Sequence, residues 1–267
     1  MSKSIAVMGC GWLGLPLAVS LIEAGYQVKG STTSQEKMVL LENKGIQPYL
    51  ISLLEEELIG HVDSFLAEVD TIIINIPPKL RGGGNENYIK KMHLLHQAIL
   101  KAGVRQVIFV SSTSVYGDAQ GVVTEATEPE PATESGKQLL VSERIFQNDT
   151  TLKTTIIRFG GLIGPDRHPV TMLSGRRNLA NGNARVNLIH LNDCIAIIQS
   201  VLKFGWWGEI LNGVYPEHPL KKSYYTSKAK EQGLQLPDYK EDNTEDSKII
   251  VPMVLLNVKN FRFTTTL

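Results

Sequence analysis

Six residues near the amino terminus constrain this chain more than any others. Gly9-Cys10-Gly11-Trp12-Leu13-Gly14 fits the pattern G-x-G-x-x-G, between a short apolar run, Ser4 to Met8, and a helical stretch from Trp12 to Ala24 that stops at Gly25. Alone, three spaced glycines are a weak signal; between a strand and a helix they mark the phosphate-binding turn of a dinucleotide site. Gly9 permits the tight turn, Gly11 lets backbone approach a pyrophosphate, and Gly14 lets the helix pack close to the strand. The helix start, including Trp12 and Leu13, then offers N–H groups and a positive dipole end to phosphate. Cys10 contributes packing or, alternatively, a reactive thiol at a helix start.

The rest of the chain suits such a turn. Strand and helix alternate for about the first 160 residues, as in a Rossmann-type doubly wound parallel sheet of α/β class. Tyr26 to Gly30, Ile46 to Ser52, Thr71 to Ile76, Gln106 to Ser111 and Thr154 to Phe159 read as strands. Gln35 to Lys44, Asn87 to Ala102 and Ser135 to Gln147 read as helices between them. Thr71-Ile72-Ile73-Ile74-Asn75-Ile76 is apolar on successive positions, as a strand buried on both faces must be. Beyond Phe159 the pattern weakens, which divides the chain into residues 1–160 and a smaller α/β substrate lobe, 161–267, interleaved with the first part. Within the lobe, Asn192 to Leu202 and Pro219 to Gln232 are helical and Glu209 to Val214 is a strand.

Composition narrows the function. Of 267 residues, 27 are basic and 27 acidic, so no net field draws the protein to nucleic acid or anionic lipid. Two cysteines are too few for a disulfide framework or a four-ligand zinc site. His93 and His96 share a helix without a third ligand or an acid beside them in sequence, so no metal is expected. No run reaches the ~18 apolar residues of a membrane span. The first twenty-two residues resemble an export signal, but Gly9, Gly11, Gly14 and Pro16 puncture the run and Lys3 alone precedes it. A cytoplasmic protein taking a small molecule is the expectation.

An NAD site usually carries an acid about 20 residues after the fingerprint. Here the stretch is Gly30-Ser31-Thr32-Thr33-Ser34-Gln35. Ser31, Thr32, Thr33 and nearby Lys37 suit the 2′-phosphate of NADP better than the bare ribose of NAD, so NADP is favoured; turn formation and helix capping by Ser34 explain the same hydroxyls.

Three further segments carry a resemblance. Val110-Ser111-Ser112-Thr113-Ser114-Val115-Tyr116-Gly117, Arg158 to Pro165, and Asn187 to Asp193 resemble, in order and spacing, segments of the extended short-chain dehydrogenases/reductases, the NAD(P)-dependent epimerase/dehydratase family. The resemblance spans about residues 4 to 215 and implies an oxidoreductase or epimerase-like enzyme acting on a hydroxylated small molecule, often as a homodimer. It further implies cofactor contacts at Ile76, Pro77 and Ser111, and a substrate-orienting role for Ser112. The family's Tyr-x-x-x-Lys pair, however, falls on Ser135 and Leu139, and this chain departs from the family there. Tyr116 then either handles a proton beside the nicotinamide or packs against the sheet. Arg167 and His168 present a cation and an imidazole to substrate, or lie in a solvated loop. Tyr224 and Lys228 repeat the lost spacing on a downstream helix, which reads as a surface helix with chance spacing. Arg81-Gly82-Gly83-Gly84-Asn85 forms a loop able to close over a cofactor, or a plain connection. A non-catalytic NADP(H) sensor is the alternative function, since the binding parts persist without the acid–base pair.

Overall fold

The computed structural model describes residues 3–78, 86–241 and 247–267. Among them, seven parallel strands form one sheet: β1 (Ser4–Met8), β2 (Gln27–Thr32), β3 (Gln47–Leu50), β4 (Thr71–Ile74), β5 (Gln106–Ser112), β6 (Lys153–Phe159) and β7 (Ile210–Gly213), in the order β7-β6-β5-β4-β1-β2-β3. The order reverses beside β1, between β2 and β4, and ligands of such sheets bind outside the carboxyl ends at that point.

Strand residues alternate between two cores, as the pleat requires. Ile5, Val7, Ile73, Ile108 and Ile157 face α1 (Gly14–Glu23), α2 (Glu36–Asn43) and α7 (Leu191–Phe204). Ala6, Met8, Ile72, Ile74 and Phe109 face α3 (Val62–Leu66), α4 (Tyr88–Ala102) and α5 (Glu134–Gln147). Helices on both sides explain the near-continuous apolar strands. The export-like amino terminus is thus the central strand and its helix, and no described helix is long and apolar enough to cross a membrane.

α7 and β7 return to the large sheet, although they lie beyond residue 160. The small lobe gathers α6 (Pro169–Leu173), α8 (Lys221–Glu231) and the paired segments Gly161–Ile163 and Leu188–His190 around its own core of Ile163, Val170, Val186, Leu188, Tyr224, Tyr225 and Ala229. α8 is therefore no plain surface helix: Tyr224 is buried, and the apolar spacing that shows this is too sparse to read from a sequence so rich in lysine. The acidic stretch 242–246 and the glycine loop 81–85 lie outside the described residues.

The carboxyl terminus is strapped to the base of α7. Asp193, fully buried, accepts hydrogen bonds from the Thr264 N–H (2.8 Å) and hydroxyl (2.9 Å), the Thr265 N–H (3.3 Å) and the Thr265 hydroxyl. Replacing Asp193 by Ala removes these charge-assisted bonds and should cost about 2–3 kcal/mol. Urea unfolding measures the loss, and faster amide exchange over residues 261–267 would show the strap released.

Candidate functional site

The turn after β1 is built by exclusion. Gly9 has φ of +102°, and a Cβ there would stand 2.7 Å from the Asn75 carbonyl oxygen. A Cβ on Gly14 would collide with the Gly9 carbonyl oxygen. Gly11 differs: no atom lies within 4 Å of where its Cβ would be, so the outer side of the turn is open to a pyrophosphate. Within the turn the Gly11 N–H donates to the Gly9 carbonyl at 2.9 Å, and three further bonds tie it to its neighbours. The Gly9 N–H donates to Ser31 Oγ (2.9 Å), the Cys10 N–H donates to the Ser31 carbonyl (2.8 Å), and Asn75 Nδ2 donates to the Gly9 carbonyl (3.0 Å). α1 has neither a side-chain cap nor an acid in its first turn, so its leading N–H groups have no helical partner. An open face at Gly11, an uncapped helix start and a turn closed to side chains at Gly9 and Gly14 fit a dinucleotide pyrophosphate.

The flanking residues divide in role. Ser31 is buried and its hydroxyl is spent inside the turn, while Thr32 Oγ1 accepts from the Ser34 N–H at 3.1 Å. Thr33 and Lys37 are exposed. Ser34 does not cap α2: the capping position is Gln35, without a side-chain bond. The Ile76 carbonyl accepts from the buried Tyr88 hydroxyl at 2.8 Å, and Pro77 is exposed beside it. Burial pushes the Cys10 thiol up to about 12, which removes the reactive-thiol alternative. Asn75 holds the turn from outside the fingerprint, and its mark in the sequence is a polar side chain inside an isoleucine run.

After β5, the serine segment sits on a buried polar network. Ser111 Oγ donates to Glu143 Oε1 (2.5 Å), and Glu143 is paired with Arg158 (Nη2–Oε2 2.6 Å), both almost fully buried. Arg158 Nη1 donates to the Tyr116 hydroxyl at 2.8 Å, and that hydroxyl lies 3.1 Å from both the Thr124 carbonyl oxygen and Asn212 Oδ1. Tyr116 is 1% exposed, and burial pushes its phenol up. Its hydroxyl is committed to the scaffold. Ser112 is half-buried; its Oγ accepts from the Ser114 N–H at 3.1 Å, which leaves its proton free to donate.

α5 presses on this segment through Gly136, whose Cβ would collide with the Ser114 carbonyl oxygen. Ser135 is half-buried next to that contact, and Leu139 is in the core with Val115, Tyr116 and Phe146. No cation stands at position 139. Lys137 is exposed. Glu143→Gln would leave the Arg158 charge buried without its counter-ion, with an expected cost of about 3–5 kcal/mol in chemical unfolding.

In the small lobe, Trp12 Nε1 donates to Asp166 Oδ1 at 2.9 Å and the Arg167 guanidinium lies 4.9 Å from the Trp12 ring centroid. His168 caps α6, its Nδ1 accepting from the Val170 N–H at 3.2 Å, so the proton of the neutral ring is on Nε2, 3.0 Å from the Tyr224 hydroxyl. The Tyr224 phenol is pushed up to about 12 by burial, and Lys228 lies over its ring and bonds Glu231. His190 caps α7. His96 does have an acid beside it, Asp149 at 2.8 Å, supplied from fifty-three residues downstream; among the described residues no three His, Cys, Asp or Glu gather to hold a metal.

Comparison with known proteins agrees with this geometry. A family model described as NAD(P)H-binding matches residues 9–189. Protein YeeZ of Escherichia coli strain K12 is 37% identical over 266 residues, 98% of this chain and 96% of its own. The structure of MoeE5 in complex with UDP-glucuronic acid and NAD superposes with a TM-score of 0.81 at 21% identity, covering 99% of this chain and 95% of that one. UDP-glucose 4-epimerase from Thermotoga maritima, solved with UDP-glucose, gives 0.80 at 19% identity, covering 99% and 94%. The chain belongs to the NAD(P)H-binding family. Along its whole length it is a relative of YeeZ.

Burial, with Lys228 nearby, holds the His168 imidazole below its ordinary value of 6.5. The folded chain therefore binds fewer protons than the unfolded one as pH falls below that value, and stability is lost on acidification. The melting temperature should drop between about pH 7 and pH 5, and His168→Asn, which can still cap α6, should flatten part of that slope.

Proposed function

We propose that this protein binds NADP(H) across the fingerprint turn and acts as an oxidoreductase on a hydroxylated small molecule held beside Ser112. The observation that supports it most is the open outer face at Gly11 above an uncapped, acid-free start of α1. When bound, the nicotinamide supplies hydride exchange; the other tasks fall to this chain. Thr33, just past the end of β2, and Lys37, in the first turn of α2, are exposed and offer a hydroxyl and an ammonium to a 2′-phosphate, with Glu36 the one acid in that turn. Ser112, its hydroxyl proton unspent, orients the substrate oxygen. With Tyr116 committed to Arg158, proton transfer must use Ser135, a water or a group of the substrate itself. Arg167 and His168 border the substrate side.

A second reading, a sensor that binds NADP(H) without turnover, is favoured by Leu139: a buried leucine where the family has a lysine cannot lower the pKa of a proton donor.

Titration calorimetry with NADPH, NADP, NADH and NAD tests the first step, with Gly11→Asp placing a carboxylate in the phosphate path. NADPH should bind more tightly than NADH, and the variant should lose binding. Turnover with a carbonyl substrate that falls by about 10²-fold in Ser112→Ala would support the oxidoreductase; binding without turnover across a carbonyl panel would support the sensor. Absence of binding by all four dinucleotides would sink both.

A further inference from the structure

We propose that Arg167, reaching from the small lobe and lying over the fingerprint's Trp12, clasps the dinucleotide pyrophosphate beside the turn. This rests on the reading above that a dinucleotide occupies the turn. It moves Arg167 from the substrate side of the cleft to the cofactor.

Four observations carry it. Trp12 is part of the fingerprint itself, between Gly11 and the first residues of α1, so whatever holds its ring is beside the phosphate site. Its indole N–H is engaged by Asp166, and the guanidinium of the next residue, Arg167, lies over the ring at 4.9 Å. The loop approaches this closely because Gly164 has no side chain: a Cβ there would stand 2.7 Å from Trp12 Cζ2. Finally, Arg167 is exposed and has no carboxylate partner among the described residues. Its neighbour Asp166 is occupied by the indole rather than by the guanidinium.

The chemistry follows from the charge count. The start of α1 contributes N–H dipoles but no full positive charge, and its first turn, Gly14-Leu15-Pro16-Leu17, holds no lysine or arginine. A pyrophosphate carries two negative charges and is matched by a planar guanidinium that can give two parallel N–H bonds. Stacking on Trp12 keeps the guanidinium in place without neutralising it. A lysine at position 167 would carry the charge but not the fork, and would stack less well.

The test compares NADPH and NADH affinities of the full-length wild type with those of Arg167→Ala, Arg167→Lys and Arg167→Glu, by calorimetry, with thermal melts as the folding control. The pyrophosphate is common to both dinucleotides, whereas the 2′-phosphate is not. Arg167→Ala should weaken both by tenfold or more with their ratio unchanged, Arg167→Lys should lose less, and Arg167→Glu more. Affinities within twofold of wild type in Arg167→Ala, with Gly11→Asp still abolishing binding, would overturn the clasp and leave the cofactor site standing. Loss for NADPH alone would overturn it too, assigning Arg167 to the 2′-phosphate. Failure of the wild type to bind either dinucleotide would remove the functional reading and the clasp together.

Discussion

The contact between Gly14 and the Gly9 carbonyl oxygen is the constraint from which the architecture around the site follows. Because neither residue has a side chain in the way, α1 starts directly against the end of β1. The same carbonyl accepts from Asn75 at the end of β4, and the Gly9 N–H donates to Ser31 on β2. One peptide-sized junction thus joins the three strands at which the sheet order reverses. Any bulk there would separate the helix start from the crevice and lose both packing and the phosphate-facing dipole.

A second junction, at the ends of β5 and β6, serves a different purpose. Glu143 and Arg158 satisfy each other in the core and use their remaining hydrogen-bonding capacity on Ser111 and Tyr116. A buried ion pair of this kind is poor evidence for net stability, but removing one partner is costly. It therefore holds the serine segment rigidly beneath α5. Above it, Ser135 is half-buried and Leu139 lies in the core. Ser112 remains available because, among the described residues, the one side-chain bond of its hydroxyl uses it as an acceptor.

Much of this was legible in the residues. The strands and helices of the first 160 residues follow from apolar runs punctuated by Gly25, Gly45, Gly103 and the paired prolines at 77 and 78. The glycine turn was legible because its steric requirements exclude nearly every alternative residue. Less was legible at the site. Tyr116 reads equally as a proton handler or as packing, because a tyrosine after a serine segment has no sequence mark of burial; Arg158, forty-two residues away, and Asn212, ninety-six away, take up its hydroxyl. Tyr224 looked exposed because α8 is rich in lysine, yet it faces His168 in the small-lobe core.

By itself the sequence determined the strand–turn–helix at residues 4–23 and the parallel sheet, since each depends on local spacing, backbone freedom or side-chain identity. Tertiary structure alone decided which polar groups are spent and which are free. Asp193 is taken by the carboxyl-terminal threonines, Tyr116 by Arg158, and Asp166 by Trp12, whereas Arg167 is left with an aromatic ring and open solvent. These partners are far apart in the chain, and hydrogen bonds depend on distances of a few tenths of an ångström that periodicity does not encode.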